Sequence, residues 1–406
     1  MRQIPTSRAE AVECDRADPL AAQRDLFSLP DGMAYLVGHS LGPPPATSGA
    51  RLNAAMKDWQ SDLVRSWNSA GWIDLAERTG GQIAALIGAE PGEVIVADSV
   101  SVNLFKLAAA ALPLARRYVL FVEEDEFPTD QYIAAGLAGV SGAEVRRLPS
   151  GGTFDALKAG GVYLKSAVNY RSAEVADIAA HEREAAAHGA LILWDLSHAT
   201  GVLDLALKAD GARLAAGCTY KYLNGGPGAP AFVFAAHDIA GQLRTPLPGW
   251  MGHASPFAFD GGYTPRDGAA RFASCTPPIL SLAALSGALE AMDGVALSAL
   301  QAKARALGAM TIARAQAMGL EVLSPVEDAR RGGHVSVRIS EGYPVVQALA
   351  ARGVMGDFRA PDTVRFGFSP LFLTYTSVWD AMDALADILA SRSWDQPQFH
   401  ARAKVT

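Results

Sequence analysis

Short apolar runs alternate with longer helical stretches along most of the chain. Runs at 93–97, 118–122, 161–164, 190–194 and 230–234 are four or five residues long, and polar side chains follow them. Runs of this length between helical segments predict βαβ units, and therefore a mostly parallel sheet covered by helices on both faces. Ligands of such sheets bind beyond the carboxyl ends of the strands, so the residues after each run are the first candidates for a functional site.

The two ends of the chain have a different pattern. Residues 34–37 predict a short strand before a turn-rich HSLGPPP segment, and a helix is predicted from about Thr47 to Trp67. From about residue 280 an Ala- and Leu-rich helical stretch, 281 to about 318, precedes strand-like pieces such as 335–339. This change predicts a second, smaller α+β lobe. The predicted division is an N-terminal segment at 1–50 that joins the small domain, a large domain at 51–285 and a small C-terminal domain at 286–406.

Composition narrows the classes of protein. Half of the 406 residues are hydrophobic, which is ample for a large core, and the formal net charge of −7 disfavours nucleic acid as a partner. Cys14, Cys218 and Cys275 are far apart with no CxxC pair, so neither a disulfide framework nor a metal site is expected. The charged N-terminus predicts no secretory signal, and no apolar run approaches the roughly 20 residues of a membrane span. We therefore expect a cytoplasmic protein.

Two candidate chemical groups follow predicted strands. Asp195 ends the 190–194 run and His198 stands three residues later. A carboxylate there could pair with a protonated ring nitrogen of a cofactor, or it could cap a turn or helix. Lys221 lies among small and aromatic residues and is followed by glycines. It is a candidate for a Schiff base, although this segment taken alone favours a surface lysine in a glycine loop. No GxxxxGK[ST] phosphate loop is present.

Three further segments carry weaker signals. Phe127 could lie against a flat ring or simply pack in a loop. The hydroxyls and backbone N–H groups of 98–103 begin a helix, where they could bind a phosphate or serve only as an N-cap. Arg365 lies in an apolar stretch of the second lobe, and it would suit either a carboxylate substrate or a structural salt bridge.

The order of these features resembles that of pyridoxal-phosphate (PLP) enzymes of the aspartate-aminotransferase fold, and the sequence is most similar to kynureninase. The blocks that carry the resemblance are YLVGHSLGP at 35–43, FPTD at 127–130, WDLSH at 194–198, CTYKYLNGGPGAP at 218–230, GWMGH at 249–253 and TPPI at 276–279. The block around Lys221 is the most specific of these.

The resemblance implies a role for each matching residue. Lys221 would carry PLP as a Schiff base, Asp195 would keep the ring nitrogen protonated and Phe127 would stack on the ring. The implied cofactor contacts are Val100, Ser101, Phe127, Pro128, Thr129, Asp130, Ser166, Asp195, His198, Tyr220, Lys221, Trp250 and Thr276. Trp250 and Thr276 are expected to reach the site from a second subunit.

The substrate side of the site is implied in the same way. Arg365 would bind the α-carboxylate of an amino-acid substrate. His39, Trp67 and Trp72 are candidates for the rest of the substrate pocket, although core packing is an equal alternative for the two tryptophans. Tyr220 is expected to be acidified by the phosphate and cations around it, and to act with Lys221 and Asp195 in catalysis.

The resemblance implies a PLP fold type I protein, with a mostly parallel seven-stranded large domain and a smaller α+β C-terminal domain, that forms a homodimer with shared active sites. The implied reaction is hydrolysis of the Cβ–Cγ bond of L-kynurenine or 3-hydroxy-L-kynurenine to L-alanine and an anthranilate, in tryptophan catabolism and NAD biosynthesis. Alternatives are a kynureninase-like enzyme for a substituted kynurenine or another β-substituted amino acid, a class V aminotransferase or desulfurase, and a non-catalytic PLP-fold protein.

Three positions depart from the family pattern. His39 stands where the GNSLG string has Asn, Cys275 stands where a small residue, often Gly, is expected, and Ala173 replaces a Gly after the 169–171 string. The first two are expected near the substrate, so they bear on the choice of substrate more than on the cofactor.

Overall fold

The computed structural model describes residues 4–259 and 261–402, and a seven-stranded sheet forms its centre. The strands of the described chain are β1 (Ala34–Tyr35), β2 (Val94–Val96), β3 (Val119–Glu123), β4 (Glu144–Leu148), β5 (Val162–Ser166), β6 (Leu191–Asp195), β7 (Leu214–Gly217), β8 (Phe232–Ala235), β9 (Glu321–Val322), β10 (His334–Arg338), β11 (Val354–Met355), β12 (Asp357–Arg359) and β13 (Thr363–Gly367). The large sheet has the order β2-β8-β7-β6-β5-β3-β4; β8 runs antiparallel to β2 and β7, and all the other neighbouring pairs are parallel.

The predicted mostly parallel sheet is confirmed. Every residue of β3 and β6 is buried, as expected for apolar strands that are covered on both faces. The sequence did not predict β4 or β7. Strand β4 is an edge strand with exposed charged residues, and β7 is built from small residues of low strand propensity that tertiary packing nevertheless buries completely.

Helices cover the sheet, and α6, α7 and α9 pack directly on its strands. The α-helices are α1 (Arg8–Arg16), α2 (Ala21–Arg24), α3 (Ala46–Asp62), α4 (Ser66–Ser69), α5 (Leu75–Ile87), α6 (Val100–Ala111), α7 (Pro128–Ser141), α8 (Thr153–Ala156), α9 (Ile178–His188), α10 (His237–Ala240), α11 (Ile279–Leu289), α12 (Leu297–Ala317), α13 (Gly342–Ala350), α14 (Tyr375–Ser391) and α15 (Pro397–His400). Short 3₁₀ turns lie at Leu63–Arg65, Trp72–Asp74, Leu112–Leu114, Leu157–Ala159, Trp250–Gly252, Gly268–Phe272, Glu290–Met292 and Asp328–Arg330.

Two helix predictions were too long. The helix predicted to reach Trp67 ends at Asp62, because Leu63 adopts a positive φ of 51° that cannot continue a right-handed helix. The stretch from 281 to 318 is two helices, α11 and α12, whose directions differ by 83°. Gly294, with φ of 72°, lies in the break, and a glycine in this conformation is typical of a chain reversal.

A four-stranded antiparallel sheet of order β12-β13-β10-β9 forms the centre of the second lobe. The N-terminal segment packs against this part of the chain: β1 pairs with β11, and the Arg8 side chain donates to Asp380 on α14 at 2.7 Å. His39, which follows β1, is thereby brought next to β10 and β13.

Among the described residues no single helix has the length and apolar character needed to cross a membrane. The bent pair Ile279–Met292 and Leu297–Ala317 meets the criteria of length and apolar character only when its two helices are counted together.

Candidate active site

A cavity of about 130 Å³ lies at the carboxyl ends of β3, β5 and β6, where the parallel sheet predicts a site. Its lining residues are Val100, Ser101, Phe127, Thr129, Asp130, Ser166, Val168, Tyr170, Asp195, Ser197, His198, Tyr220 and Lys221. Ten of the thirteen cofactor contacts implied by the sequence are in this set. A larger groove of about 700 Å³ lies between the N-terminal segment and α14, and none of the expected site residues lines it.

The amino end of α6 forms one wall of the cavity. Ser99 caps the helix and accepts a hydrogen bond from the Val102 N–H at 3.4 Å, and Val100 and Ser101 open the first turn. The first backbone N–H groups of a helix have no partner within it and carry a partial positive charge. This wall therefore suits a phosphate group.

Two neighbouring loops bring Asp195 and Lys221 together. Asp195 is the last residue of β6, and its Oδ1 accepts the Ser197 N–H at 2.8 Å. Lys221 lies in the turn after β7, where Asn224 has a positive φ of 56° and donates its N–H to the Lys221 carbonyl at 3.0 Å. The amine of Lys221 lies 5.9 Å from the centre of the Tyr220 ring. A carboxylate and an amine thus line the same small cavity.

A row of buried carboxyl groups lies beside Asp195. Burial, together with the charges of Asp195 and Glu126, raises the pKa of Asp130 well above its ordinary value, while Lys221 lowers it. Burial also raises the pKa of Glu126, although Lys165 opposes this from 3.2 Å. Asp130 and Glu126 therefore tend to hold protons at a pH where exposed carboxyl groups have lost theirs.

Three buried imidazoles lie behind the cavity, and only His198 lines it. His39 stacks on His334 with a centroid distance of 5.2 Å, and His198 lies 5.4 Å from His334. Burial is the largest cause that lowers the pKa of all three rings, and the positive charges of Arg365 and Lys221 lower it further. The three rings are therefore neutral near pH 7.

Arg365 is almost fully buried beside these rings. Its guanidinium donates to the Asp357 carboxylate at 2.7 Å and to the Tyr170 carbonyl at 2.5 Å, while its Nε has no hydrogen-bond partner among the described residues. Asp357 also pairs with Arg359 at 3.0 Å. Because Tyr170 lines the cavity, Arg365 is held close behind the cavity wall.

The expected acidification of Tyr220 is wrong for this geometry. Burial raises the pKa of the Tyr220 hydroxyl, and the negative charge of Asp195 raises it further. A phosphate dianion would act in the same direction, because a neighbouring negative charge disfavours the phenolate.

Seven expected site residues, Arg365 among them, lie outside the lining of this cavity. Pro128 is the first residue of α7, next to Phe127. Trp250 and Thr276 are exposed, and His39 is fully buried. Trp67 and Trp72 pack edge to face at 6.0 Å, away from the cavity lining.

Residues that the sequence did not single out also contribute. Val168 and Tyr170 follow β5, and Ser197 follows Asp195 at the end of β6. All three could therefore have been predicted, because ligands of a parallel sheet bind beyond the carboxyl ends of its strands. Glu126 could have been suspected from its position directly before the FPTD block. Its burial, however, depends on Lys165 and Ser166 of another strand.

The cavity has the donor and acceptor set that a pyridine ring bearing a phosphate requires. Phe127 offers a ring face, Asp195 offers a carboxylate, and the start of α6 offers an anion site. The Asp130 Oδ2 and His198 Nδ1 atoms are buried without a hydrogen-bond partner in the described chain. Buried polar atoms usually have partners, so these two atoms favour a polar ligand at this place.

Comparison with known proteins gives full-length matches. The chain is 42% identical to a kynureninase of Pseudomonas fluorescens, over 99% of this chain and 100% of that protein. It is 41% identical to a kynureninase of Burkholderia pseudomallei, over 98% of this chain and 100% of that protein. A family model for the kynureninase C-terminal domain matches residues 300–385.

Solved structures with the same fold have much lower sequence identity. The apo structure of a cysteine desulfurase from Thermococcus onnurineus has a TM-score of 0.79 at 16% identity, covering 91% of this chain and 98% of that one. An aspartate aminotransferase from Thermus thermophilus has a TM-score of 0.63 at 17% identity, covering 83% and 95%. At this identity the similarity is one of fold.

Proposed function

This chain belongs to the kynureninase family, and from that premise we propose that the cavity around Lys221 and Asp195 is its active site. It is a PLP-dependent hydrolase that cleaves a carbon–carbon bond of a ketonic substrate, kynurenine, to alanine and an anthranilate. The observation that carries this function is the 42% identity over 99% of the chain. We propose L-kynurenine and 3-hydroxy-L-kynurenine as the substrates to compare.

Each residue of the cavity has a proposed role that follows from its chemistry. PLP supplies an electron-accepting ring when it is bound. Lys221 would hold the cofactor, and its amine, when free, would be the base that takes the α-proton of the substrate. Asp195 holds a proton on the ring nitrogen, and Phe127 restrains the ring plane. Val100 and Ser101 bind the phosphate.

Arg365 is proposed to bind the substrate carboxylate. Its buried guanidinium is held by Asp357 and Tyr170, so little conformational freedom remains to be lost when an anion binds. Binding at Arg365 would place the amino group of the substrate toward Lys221. The neutral His198 ring lines the same cavity and can exchange hydrogen bonds without adding charge.

A homodimer is part of the proposal. Trp250 is 37% exposed, and the neighbouring Phe257 and Phe259 are 59% and 78% exposed. Exposed aromatic clusters of this kind are typical of protein interfaces. A second subunit on this surface would bury the cluster and could bring Trp250 and Thr276 to its partner's cofactor. The place in tryptophan catabolism and NAD biosynthesis and a cytoplasmic location belong to the same proposal and rest on the family alone.

A cysteine-based reaction receives no support from the site. The Cys275 thiol lies 3.8 Å from the Asp98 carboxylate, and burial with that charge raises the pKa of the thiol. An activated nucleophilic cysteine needs the opposite, because the thiolate is the reactive form.

Product analysis tests the function. L-kynurenine and 3-hydroxy-L-kynurenine are added separately to PLP-loaded protein, and alanine and the fluorescent anthranilate are quantified. We expect equal amounts of the two products from at least one substrate, and none from Lys221→Ala. PLP-loaded protein that cleaves neither substrate would contradict the proposal.

A further inference from the structure

Asp98 is a carboxylate in a constrained turn next to the proposed phosphate site. It follows β2 and directly precedes Ser99, the cap of α6, and its φ of 51° is unusual for a residue other than glycine. Its carbonyl accepts the Ala231 N–H at 2.8 Å, which fixes the turn to the loop before β8. A carboxylate in this position would repel a phosphate unless a cation neutralised it.

The amine of Lys106, which lies further along α6, is that cation. Its side chain is fully buried, and its amine donates to the Asp98 Oδ2 at 2.5 Å and to the Phe272 carbonyl at 2.6 Å. Burial lowers the pKa of Lys106, and the Asp98 carboxylate raises it in opposition. The pair is therefore an internal ion pair whose two charges depend on each other.

The same pair also fixes the segment that carries Thr276. Phe272 accepts from Lys106, and the Cys275 thiol approaches the other Asp98 oxygen, Oδ1, at 3.8 Å. Lys106 thus connects the start of α6, proposed to bind the phosphate in this chain's own site, with the residues just before Thr276, proposed to reach the cofactor of the second subunit.

We propose that Lys106 is a positioning residue for the cofactor phosphate. It neutralises Asp98 and holds the turn so that the first N–H groups of α6 and the Ser101 hydroxyl face an anion. This inference rests on the proposed function, because it takes the phosphate of PLP as the ligand.

The charge balance predicts a specific pattern among variants. Lys106→Met leaves the partly buried Asp98 carboxylate without its cation next to the proposed phosphate site, so PLP binding weakens. The affinity for pyridoxal, which lacks the phosphate, is not weakened by this change. Adding Asp98→Asn removes the unpaired charge, and asparagine tolerates a positive φ better than most residues. The double variant should therefore recover PLP affinity.

The chain offers a matched control in Lys303. It is also a buried lysine, paired with Asp18 at 2.6 Å and with the Pro370 carbonyl at 2.7 Å, and none of these three residues lines the cavity. Lys303→Met should lower thermal stability without changing the ratio of the dissociation constants for pyridoxal and PLP.

The experiment titrates each cofactor-free protein with PLP and, separately, with pyridoxal, following visible absorbance of the lysine-bound aldehyde. We expect Lys106→Met to raise the dissociation constant of PLP by about tenfold or more and to leave that of pyridoxal within about twofold. Lys106→Met with Asp98→Asn should regain most of the lost PLP affinity. If Lys106→Met does not fold, Asp98→Asn alone should keep the preference for PLP at or above that of the unmodified protein.

The positioning role would be overturned if Lys106→Met weakened the binding of PLP and of pyridoxal equally. It would also be overturned if the double variant bound PLP no more tightly than Lys106→Met alone. Where only Asp98→Asn folds, a reduced preference for PLP would overturn it. An unmodified protein that binds neither aldehyde would instead contradict the proposed function, so the two failures are distinguishable.

Discussion

At the scale of single residues, Arg365 shows how burial decides what a side chain can do. A guanidinium with 2% exposure must be paired, and two of its partners are the Asp357 carboxylate and the Tyr170 carbonyl. These fixed partners define the direction in which the remaining N–H groups point. The substrate carboxylate would then meet a rigid planar donor rather than a flexible charge.

Arg365→Lys should raise KM for kynurenine by about tenfold or more and change kcat less, because a lysine keeps the charge but not the planar pair of donors. Arg359→Lys is the matched control, since Arg359 pairs with the same Asp357 carboxylate. Steady-state kinetics of both variants measures the effect. An unchanged KM for Arg365→Lys would remove this residue from the carboxylate site.

The sequence predicted the residues at strand ends better than the environments of their side chains. Lys221 and Asp195 could be identified because their chemistry and their order along the chain agree with one fold. The burial of His39 could not be foreseen, since His334 and Gly367, which enclose its ring, are about 300 residues away in the sequence. The raised pKa of Tyr220 likewise depends on tertiary neighbours.

At the scale of elements, helix α9 is fixed to strand β6 by one buried polar contact. The Trp194 indole donates to the Glu182 carboxylate at 2.7 Å, one residue before Asp195. Burial raises the pKa of Glu182 to about 7 from an ordinary value of 4.5, although Trp194 lowers it in part. The folded chain therefore keeps a proton on Glu182 that the unfolded chain has lost between these pH values.

Glu182→Gln should remove this pH dependence. As the pH rises from about 4.5 to about 7, the free energy of unfolding of the unmodified protein should fall relative to that of the variant, by up to about 3 kcal/mol. Glutamine preserves the acceptor for Trp194. Urea unfolding at several pH values measures the difference, and Glu184→Gln on the same helix is the control. Parallel stability curves for the unmodified protein and Glu182→Gln would contradict the raised pKa.

Gly42 couples the N-terminal segment to the Lys221 turn. Its N–H donates to the Tyr220 carbonyl at 2.8 Å, and a Cβ added there would overlap the Lys221 carbonyl and the Asn224 side chain. Gly42→Ala should displace this turn and weaken PLP binding by about tenfold or more. Gly49→Ala, in α3 with open space around it, should bind PLP normally. A PLP titration that finds the two variants alike would exclude this coupling.

The elements themselves were predictable where the local pattern is strong. Buried apolar strands such as β3 and β6 were found within about two residues, whereas β7 was not, because its Leu-Ala-Ala-Gly sequence carries no strand signal of its own. The break between α11 and α12 was overlooked, since the apolar pattern continues on both sides of it. The tertiary packing of these elements decides such cases.

At the scale of the whole molecule, the lining of one chain's cavity lacks three of the expected cofactor contacts, Pro128, Trp250 and Thr276. Trp250 and Thr276 are exposed and lie outside the lining of this chain's own cavity. The homodimer proposed above would supply both from the second subunit. A symmetric dimer would then contain two composite sites.

Mixed dimers test this arrangement. One chain carries Lys221→Ala, and the other carries Trp250→Ala with Thr276→Ala. If the two residues act across the interface, co-expression should restore one intact site per mixed dimer, with near half of the unmodified activity, whereas each variant alone should be weak. Activity that stays at the level of the separate variants would place both residues in their own chain's site. Kynurenine cleavage by purified mixed dimers is the measurement.

Borohydride reduction shows which lysine holds the cofactor and whether kynurenine displaces that lysine. PLP-loaded protein is reduced with borohydride, with and without prior addition of L-kynurenine, and its peptides are analysed by mass spectrometry. We expect the cofactor to be fixed to Lys221 and kynurenine to reduce this labelling strongly. Labelling at a different lysine, or labelling of Lys221 that kynurenine does not change, would contradict this expectation.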